Sequence, residues 1–331
     1  MAEEASAAPK AARGGARLAR ALGPAAGLVA VALLFAVLTG APERYLSAGN
    51  LRVVLTQTVI VALGAIGMTL IMISGGIDLS VGANVALTGV VTALALRGGA
   101  PPAAAAAVGV AAGGVVGLVN GLAITGLRIV PFIATLGMLG VARGTAKYFA
   151  GEQSVNPAPT WLNGLAVTFP AHAWMLVAPG VWITLALAVA MAFVLRRTVF
   201  GRHVVAIGSN EAAARACGIA VDRAKVAVYG LGGLFFGLAG VMQMSRLRQG
   251  DPTVAVGVEL DVIAAVVIGG GSLAGGEGSV AGSLVGALIM SMLRNGCQQM
   301  GWPTYVQEII IGVIIVLAVA ADRYRASRTA E

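Results

Sequence analysis

The sequence predicts an all-α polytopic membrane protein. It should have about ten transmembrane helices, some short or broken, with the N- and C-termini cytoplasmic. Three observations carry this. Of 331 residues, 58% are hydrophobic and only 11% charged, against about 25% charged in an average soluble domain. Ten apolar segments follow one another, most of them close to the ~20 residues that a spanning helix needs. The 22 Lys and Arg then fall unevenly on the two faces of that topology, as the positive-inside rule demands. No charged stretch of domain size interrupts the series, so the chain reads as one membrane domain over 24–321. A basic tail, 1–23, precedes it and a short tail, 322–331, follows it.

The segments are 24–40, 52–73, 81–97, 102–126, 130–150, 177–195, 224–245, 259–273, 279–296 and 304–321. The first follows Lys10, Arg13, Arg17 and Arg20, and no A-x-A-like cleavage site comes after it. It is therefore read as an uncleaved helix rather than a signal peptide. The segments 81–97 and 259–273 are short enough to be broken or re-entrant. Alternation from a cytoplasmic N-terminus puts 14 of the 22 basic residues inside, Arg128, Arg196, Arg197, Arg202, Arg215, Arg223 and Lys225 among them. The long loop 151–176 then lies outside, with Trp161 and Trp174 suited to the lipid interface.

Composition also excludes. The net charge of +8 comes from basic residues scattered over loops, with few aromatics, so it speaks for membrane topology and against nucleic acid. Cys217 and Cys297 fall on opposite faces, which argues against a disulfide between them. The chain has no G-x-x-x-x-G-K-[ST], no H-E-x-x-H, no C-x-x-C and no G-x-S-x-G, and its two histidines, His172 and His203, lie far apart. No P-loop, metal set or catalytic set is visible. The run Gly276-x-Gly278-x-x-Ala281 fits a relaxed dinucleotide fingerprint but lacks the strand and βαβ unit that would give it meaning.

Glycine is abundant, at 47 residues. Gly109, Gly113, Gly117 and Gly121 form one four-residue series, and Gly278, Gly282 and Gly286 another. Such spacing lets helix backbones approach closely, and it is read as packing. A weak internal echo links MISGGIDLSVG, from Met72, to VIGGGSLAGGE, from Val267. Both pass from an apolar helix through a glycine-rich break, as transporter repeats do.

Four polar stretches interrupt the apolar background. The first contains Gly75, Gly76, Asp78 and Ser80; Asp78 is the sole acid between Glu43 and Glu152. An ionisable group at membrane depth needs a partner or a purpose. Asp78 and Ser80 can cap the next helix or line a pathway. The second holds Asn120, Thr125 and Thr135, with Pro131 placed for a first helical turn. Arg143 and Lys147 lie beyond it, four apart, and either snorkel to the interface or meet a docked partner outside or a polar solute. The third, 196–225, is a basic island. In it Asn210 reads as an N-cap, Glu211 as a first-turn acid and Gly218 as a left-handed terminator. The short helix between, 211–217, is slim at Ala212, Ala213 and Ala214, which suits a partner's groove or a plain connection. The fourth, 249–277, has Asp251 and Glu259 as an outer acidic rim, a plain solvated loop or a receiver for basic residues of a binding protein, then Asp261 and Gly269, Gly270, Gly271 and Ser272 at a break.

These stretches resemble the permease subunits of monosaccharide ABC importers of the ribose, xylose, arabinose and galactose type. The matching residues are G-G-I-D-L-S-V-G from Gly75, N-G at Asn120, P-F-I-A-T-L-G from Pro131, A-R-G from Ala142, and E-L-D from Glu259 through G-G-x-G at Gly278. In the island they are Arg197, Gly201, Arg202, Ala206, Gly208, Asn210, Ala213, Ala214, Gly218 and Ile219. The resemblance runs from about residue 50 to 320 and leaves the N-terminal tail unexplained. It implies two permease copies, a separate ABC ATPase carrying ATP and Mg, and a periplasmic sugar-binding protein. This chain would itself carry no cofactor. It implies an ATPase-coupling segment at Arg202, Gly208, Asn210, Glu211, Ala213, Ala214 and Gly218. It also implies a pathway or gate around Gly75, Gly76, Asp78, Ser80, Asn120, Thr135, Gly270, Gly271 and Ser272. The same superfamily handles branched-chain amino acids, nucleosides and a signalling furanose. Two rivals stand outside it: an ion-coupled secondary transporter, for which only Asp78 and Asp261 offer a relay, and a multipass enzyme, for which the catalytic set is missing.

Overall fold

The computed structural model describes residues 10–170 and 175–330, so 1–9, His172 and Trp174 lie outside the described residues. The helices are α1 (Lys10–Leu38), α2 (Pro42–Tyr45), α3 (Ala48–Ile73), α4 (Val81–Arg97), α5 (Pro102–Gly126), α6 (Pro131–Ala150) and α7 (Pro179–Arg197). They continue with α8 (Val199–Ser209), α9 (Glu211–Ala216), α10 (Val221–Leu247), α11 (Val258–Ile268), α12 (Val280–Gln299) and α13 (Thr304–Ala330). Among the described residues the extended pairing is one isolated bridge, Val155 to Gly250.

Each of the ten apolar segments coincides with a helix. Five of these, α3, α5, α7, α10 and α12, are long and apolar enough to cross a membrane. The segment expected at 259–273 is shorter in the structure. Its helix, α11, has eleven residues, about 16 Å at 1.5 Å per residue, roughly half of a ~30 Å hydrocarbon core. It is a half-helix, and glycine turns replace the rest. Helices α1 and α13 extend into the stretches expected to be tails, from Lys10 and to Ala330.

Helix α3 is the axis of the core. Leu63, Ile66, Met68, Leu70 and Ile71 are wholly buried on it, and a helix apolar on every side belongs inside a bundle. Helices α10, α11, α12 and α7 pack around it. Lipid is as apolar as leucine, so close packing rather than water exclusion must hold helices together. The first glycine series does this. Gly113 and Gly117 of α5 abut Gly233, Gly237 and the Tyr229 carbonyl of α10 so closely that a Cβ on Gly117 would overlap that carbonyl oxygen.

The internal echo has a physical basis. After α3 the Gly75 N–H donates to Met72 O and the Gly76 N–H to Ile71 O; after α11 the Gly270 N–H donates to Val267 O and the Gly271 N–H to Val266 O. Gly75 and Gly270 are both left-handed, at φ +82° and +89°. Both helices thus end in the same Schellman-type turn, in the register of the sequence echo.

Loops expected on one face also meet. Val155, in the 151–176 loop, bridges to Gly250 after α10. Of the segments expected on the other face, the turns after α3 and α11 meet α8 at Gly208.

Candidate functional site

The first break places its polar residues in one buried group. Asp78 is 1% exposed and Ser80, Asn84 and Thr135 not at all. One Asp78 carboxylate oxygen accepts from the Ser80 N–H at 2.7 Å and from the Ser80 hydroxyl at 2.6 Å. The other accepts from the Asn120 amide at 3.1 Å, which also reaches the Ser80 hydroxyl at 3.0 Å. Thr135, on α6, ties down the extended backbone: it accepts from the Leu79 N–H at 3.1 Å and donates to Ile77 O at 3.3 Å. Residues of the break, α5 and α6 therefore converge.

The capping expectation needs correction. Ser80 occupies the N-cap of α4 but makes no side-chain cap bond, because its hydroxyl is committed to Asp78. Asp78 instead closes a local turn on Ser80. One further member of the group was not singled out from the sequence: the Tyr229 hydroxyl sits against Gly76, where a Cβ would overlap it. Beside the group, buried Asn84 donates to Gly113 O at 3.3 Å. Asn84 lies one turn past Ser80, a helical spacing that marked it; Tyr229 lies on a distant helix with no local signal.

Gly270, Gly271 and Ser272 do not join this group. They form the turn after α11, where Ser272 N–H donates to Glu277 O and its hydroxyl accepts from the Ala274 N–H. The outer acids also separate. Asp251 closes its own turn on Thr253. Glu259 accepts from the Gly257 N–H and lies where Gly82 leaves room. Asp261, 2% exposed, pairs with Arg294 of α12 at 2.7 Å. Arg143 turns inward, donating to Pro252 O at 2.9 Å and Val254 O at 2.6 Å. It staples α6 to the 248–257 segment.

The basic island folds as two helices, not one. Thr198 ends α7 and caps α8, accepting from the Gly201 N–H at 3.2 Å. Gly201, Val204 and Ile207 are the buried face of α8. Their i, i+3, i+6 spacing after a threonine cap was the unread signal. Arg202 and Gly208 therefore lie on α8, not on the short helix expected at 211–217. Helix α9 matches its expected caps: Asn210 accepts from the Ala213 N–H at 2.9 Å, and Gly218, at φ +85°, ends it with Ile219 N–H donating to Ala214 O. Ala214 is buried, whereas Ala212, Ala213 and Ala216 are exposed.

Two of the island's basic residues serve the loop itself. Arg215 forks onto Asp222 at 2.8 and 3.2 Å, and Lys225 pairs with Glu211 at 2.6 Å. The Lys225 ammonium, with Arg215, holds the Glu211 carboxyl below its ordinary range. A depressed carboxyl stabilises the fold above its unfolded pKa, about 4.3, and loses that stabilisation as pH falls through the folded value. Amide exchange in α9 should therefore be constant at neutral pH and accelerate, after correction for intrinsic rates, below about pH 4. Glu211→Gln should flatten that change.

Comparison with known proteins decides the family. Residues 50–319 match the family described as branched-chain amino acid transport system / permease component. The chain belongs to this family. The permease is 40% identical over 295 residues to the ribose import permease protein RbsC of Escherichia coli (strain K12), covering 89% of this chain and 92% of that one. It is 40% identical over 312 residues to the ribose import permease of Bacillus subtilis (strain 168), covering 92% and 94%. It is 38% identical over 306 residues to an L-arabinose ABC transporter permease of Azospirillum brasilense, covering 90% and 87%. No solved structure matches the permease.

Proposed function

We propose that the chain is the transmembrane permease subunit of an ATP-driven ABC importer, moving a monosaccharide across the inner membrane by alternating access. The observation that carries this is the likeness to ribose and arabinose import permeases along nine-tenths of the chain. ATP is hydrolysed on a separate ATPase, and a sugar-binding protein delivers the solute. We read the ten segments as crossing or partly crossing the membrane, with both termini cytoplasmic; the meeting of like-sided loops supports this. A second permease copy completes the pathway, and lipid surrounds the apolar flanks.

Helix α9 is the ATPase dock. Its exposed alanine face, capped at both ends and braced by Arg215 and Lys225, presents a rigid slim ridge of the kind a groove accepts. The buried Asp78 group forms part of the transport gate, where carboxylate and amides meet a break in the helix.

The dock has a direct test. Ala212→Arg with Ala216→Arg adds bulk and charge on exposed positions and leaves the buried Ala214 alone. The purified wild type should capture the cognate ATPase, and the variant should lose capture by tenfold or more, about 1.4 kcal/mol. Full capture by the variant would remove α9 from the interface.

A further inference from the structure

Six polar side chains from two distant stretches of the sequence enclose a cavity of about 360 Å³ that includes none of the motifs above. They are Arg44, Ser47, Asn50, Asn295, Gln298 and Gln299. The cavity lies between the start of α3 and the end of α12, at the end of the bundle that the topology proposed above puts outside. Its floor is fixed. Asn50 and Asn295 exchange amide bonds, each Nδ2 donating to the other's Oδ1 at 3.0 Å. Gln299 Nε2 donates to the same Asn295 oxygen at 3.1 Å, and Asn50 Nδ2 also donates to Tyr45 O at 2.7 Å. The Tyr45 hydroxyl in turn donates to Met292 O at 3.0 Å, holding α2 on α12. Asn295 is 4% exposed, whereas Arg44 and Gln298 stand exposed at the rim. Asn50 and Ile73 lie near opposite ends of α3, about 35 Å apart at 1.5 Å per residue. The Asp78 group follows Ile73, so the cavity is separate from it.

We propose that this cavity is a binding subsite for one neutral polyhydroxylated solute of monosaccharide size, on the outer side of the permease. The proposal rests on the reading of the chain as a sugar permease and adds a second place where the sugar is held. A carboxamide carries an acceptor oxygen and two N–H donors. A sugar hydroxyl both donates and accepts, so two neighbouring hydroxyls match one amide edge. Four amides, a serine hydroxyl and a guanidinium offer both kinds of bond around one space. An anion needs donors alone and would meet the amide oxygens. A cation needs a carboxylate, and among the described residues none lines the cavity. An apolar solute would leave the amides buried without partners, which is costly. The volume falls at the low end of the ~300–1,000 Å³ of ligand pockets, with room for one sugar ring and some water. The open rim suits transit, because a site on a pathway must hold its solute weakly enough to release it.

Sugar binding to the purified permease in lipid nanodiscs, with no ATPase and no binding protein, tests this. D-ribose, L-arabinose, D-xylose and D-galactose are titrated by saturation-transfer NMR, with inorganic phosphate as the anionic competitor. At least one sugar should bind saturably, and phosphate should leave it in place. Gln298→Ala removes one amide from the rim and should weaken that sugar about fivefold or more, the worth of one hydrogen bond. Gln298→Trp fills the space and should abolish binding. Gln298 is exposed, so both variants should keep the wild-type thermal transition, which separates a lost subsite from a lost fold. Wild-type affinity in both variants, binding of no sugar at all, or displacement by phosphate would each overturn the proposal. The energy source of uptake is a separate result: an ion-driven permease that binds sugar here would remove the importer reading and keep the subsite.

Discussion

Gly117→Leu should abolish the folded permease. In α5 this residue faces the Tyr229 carbonyl and the Cα of Gly233 on α10. Both obstacles are backbone, so no rotamer change can clear them. The two helices would have to separate by the width of a side chain along their longest shared seam. Overpacking of a core commonly costs about 1–3 kcal/mol, but here every contact along the seam is lost as well. The expected cost exceeds about 4 kcal/mol, the range reserved for severe core damage. Detergent-solubilised protein should aggregate or lose its thermal transition. By contrast Gly140→Ala, on α6, meets nothing within 4 Å. It should be neutral or stabilising by up to about 1 kcal/mol. Equal thermal stability of the two variants would show that the glycine series does not hold α5 to α10.

Asp78→Ala should be the second severe change. The carboxylate accepts three hydrogen bonds from groups that are themselves buried: the Ser80 N–H, the Ser80 hydroxyl and the Asn120 amide. Removing it strands those donors, at about 1–3 kcal/mol for each one left unpaired. A loss of at least about 3 kcal/mol in stability is expected, together with loss of uptake. Asp78→Asn separates charge from geometry. Its amide oxygen can still serve Ser80, and its NH2 can meet the Asn120 oxygen, which has no partner in the present arrangement, if that amide turns over. Asn120 would then lose its bond to the Ser80 hydroxyl, at a net cost of about 1 kcal/mol. Thermal stability near wild type with uptake still abolished would assign the Asp78 charge to transport. Retained uptake would assign Asp78 to structure alone.

Much of this was legible in the sequence because the signals were local. Asn210, Glu211 and Gly218 lie within one helix length, and each acts through the backbone of its own turn. Asp78 and Ser80 were visible because a carboxylate in an apolar field is conspicuous, although which of them accepts from which needed coordinates. Asn120 and Thr135 stood out through their motifs, and the fold then brought both to the same break. What escaped was set by long-range packing. Nothing near Arg143 announces that it reaches carbonyls more than a hundred residues away. The same holds for Tyr229 against Gly76 and for Asp261 with Arg294. Helix α8 was hidden for a different reason: it is only eleven residues long and lies inside a stretch whose flanking basic residues suggested a loop. The half-helix α11 was misjudged in length because glycines that end a helix and glycines that pack one look alike in sequence.

The most direct test of the central claim is solute uptake by the reconstituted transporter. The permease, its cognate ATPase and its binding protein are placed in sealed vesicles and offered radiolabelled monosaccharides under two energy sources. The account predicts accumulation of one or a few monosaccharides that requires ATP on the ATPase side and the binding protein on the other, and that is indifferent to dissipation of ion gradients. Accumulation that follows an imposed proton or sodium gradient and ignores ATP would contradict it.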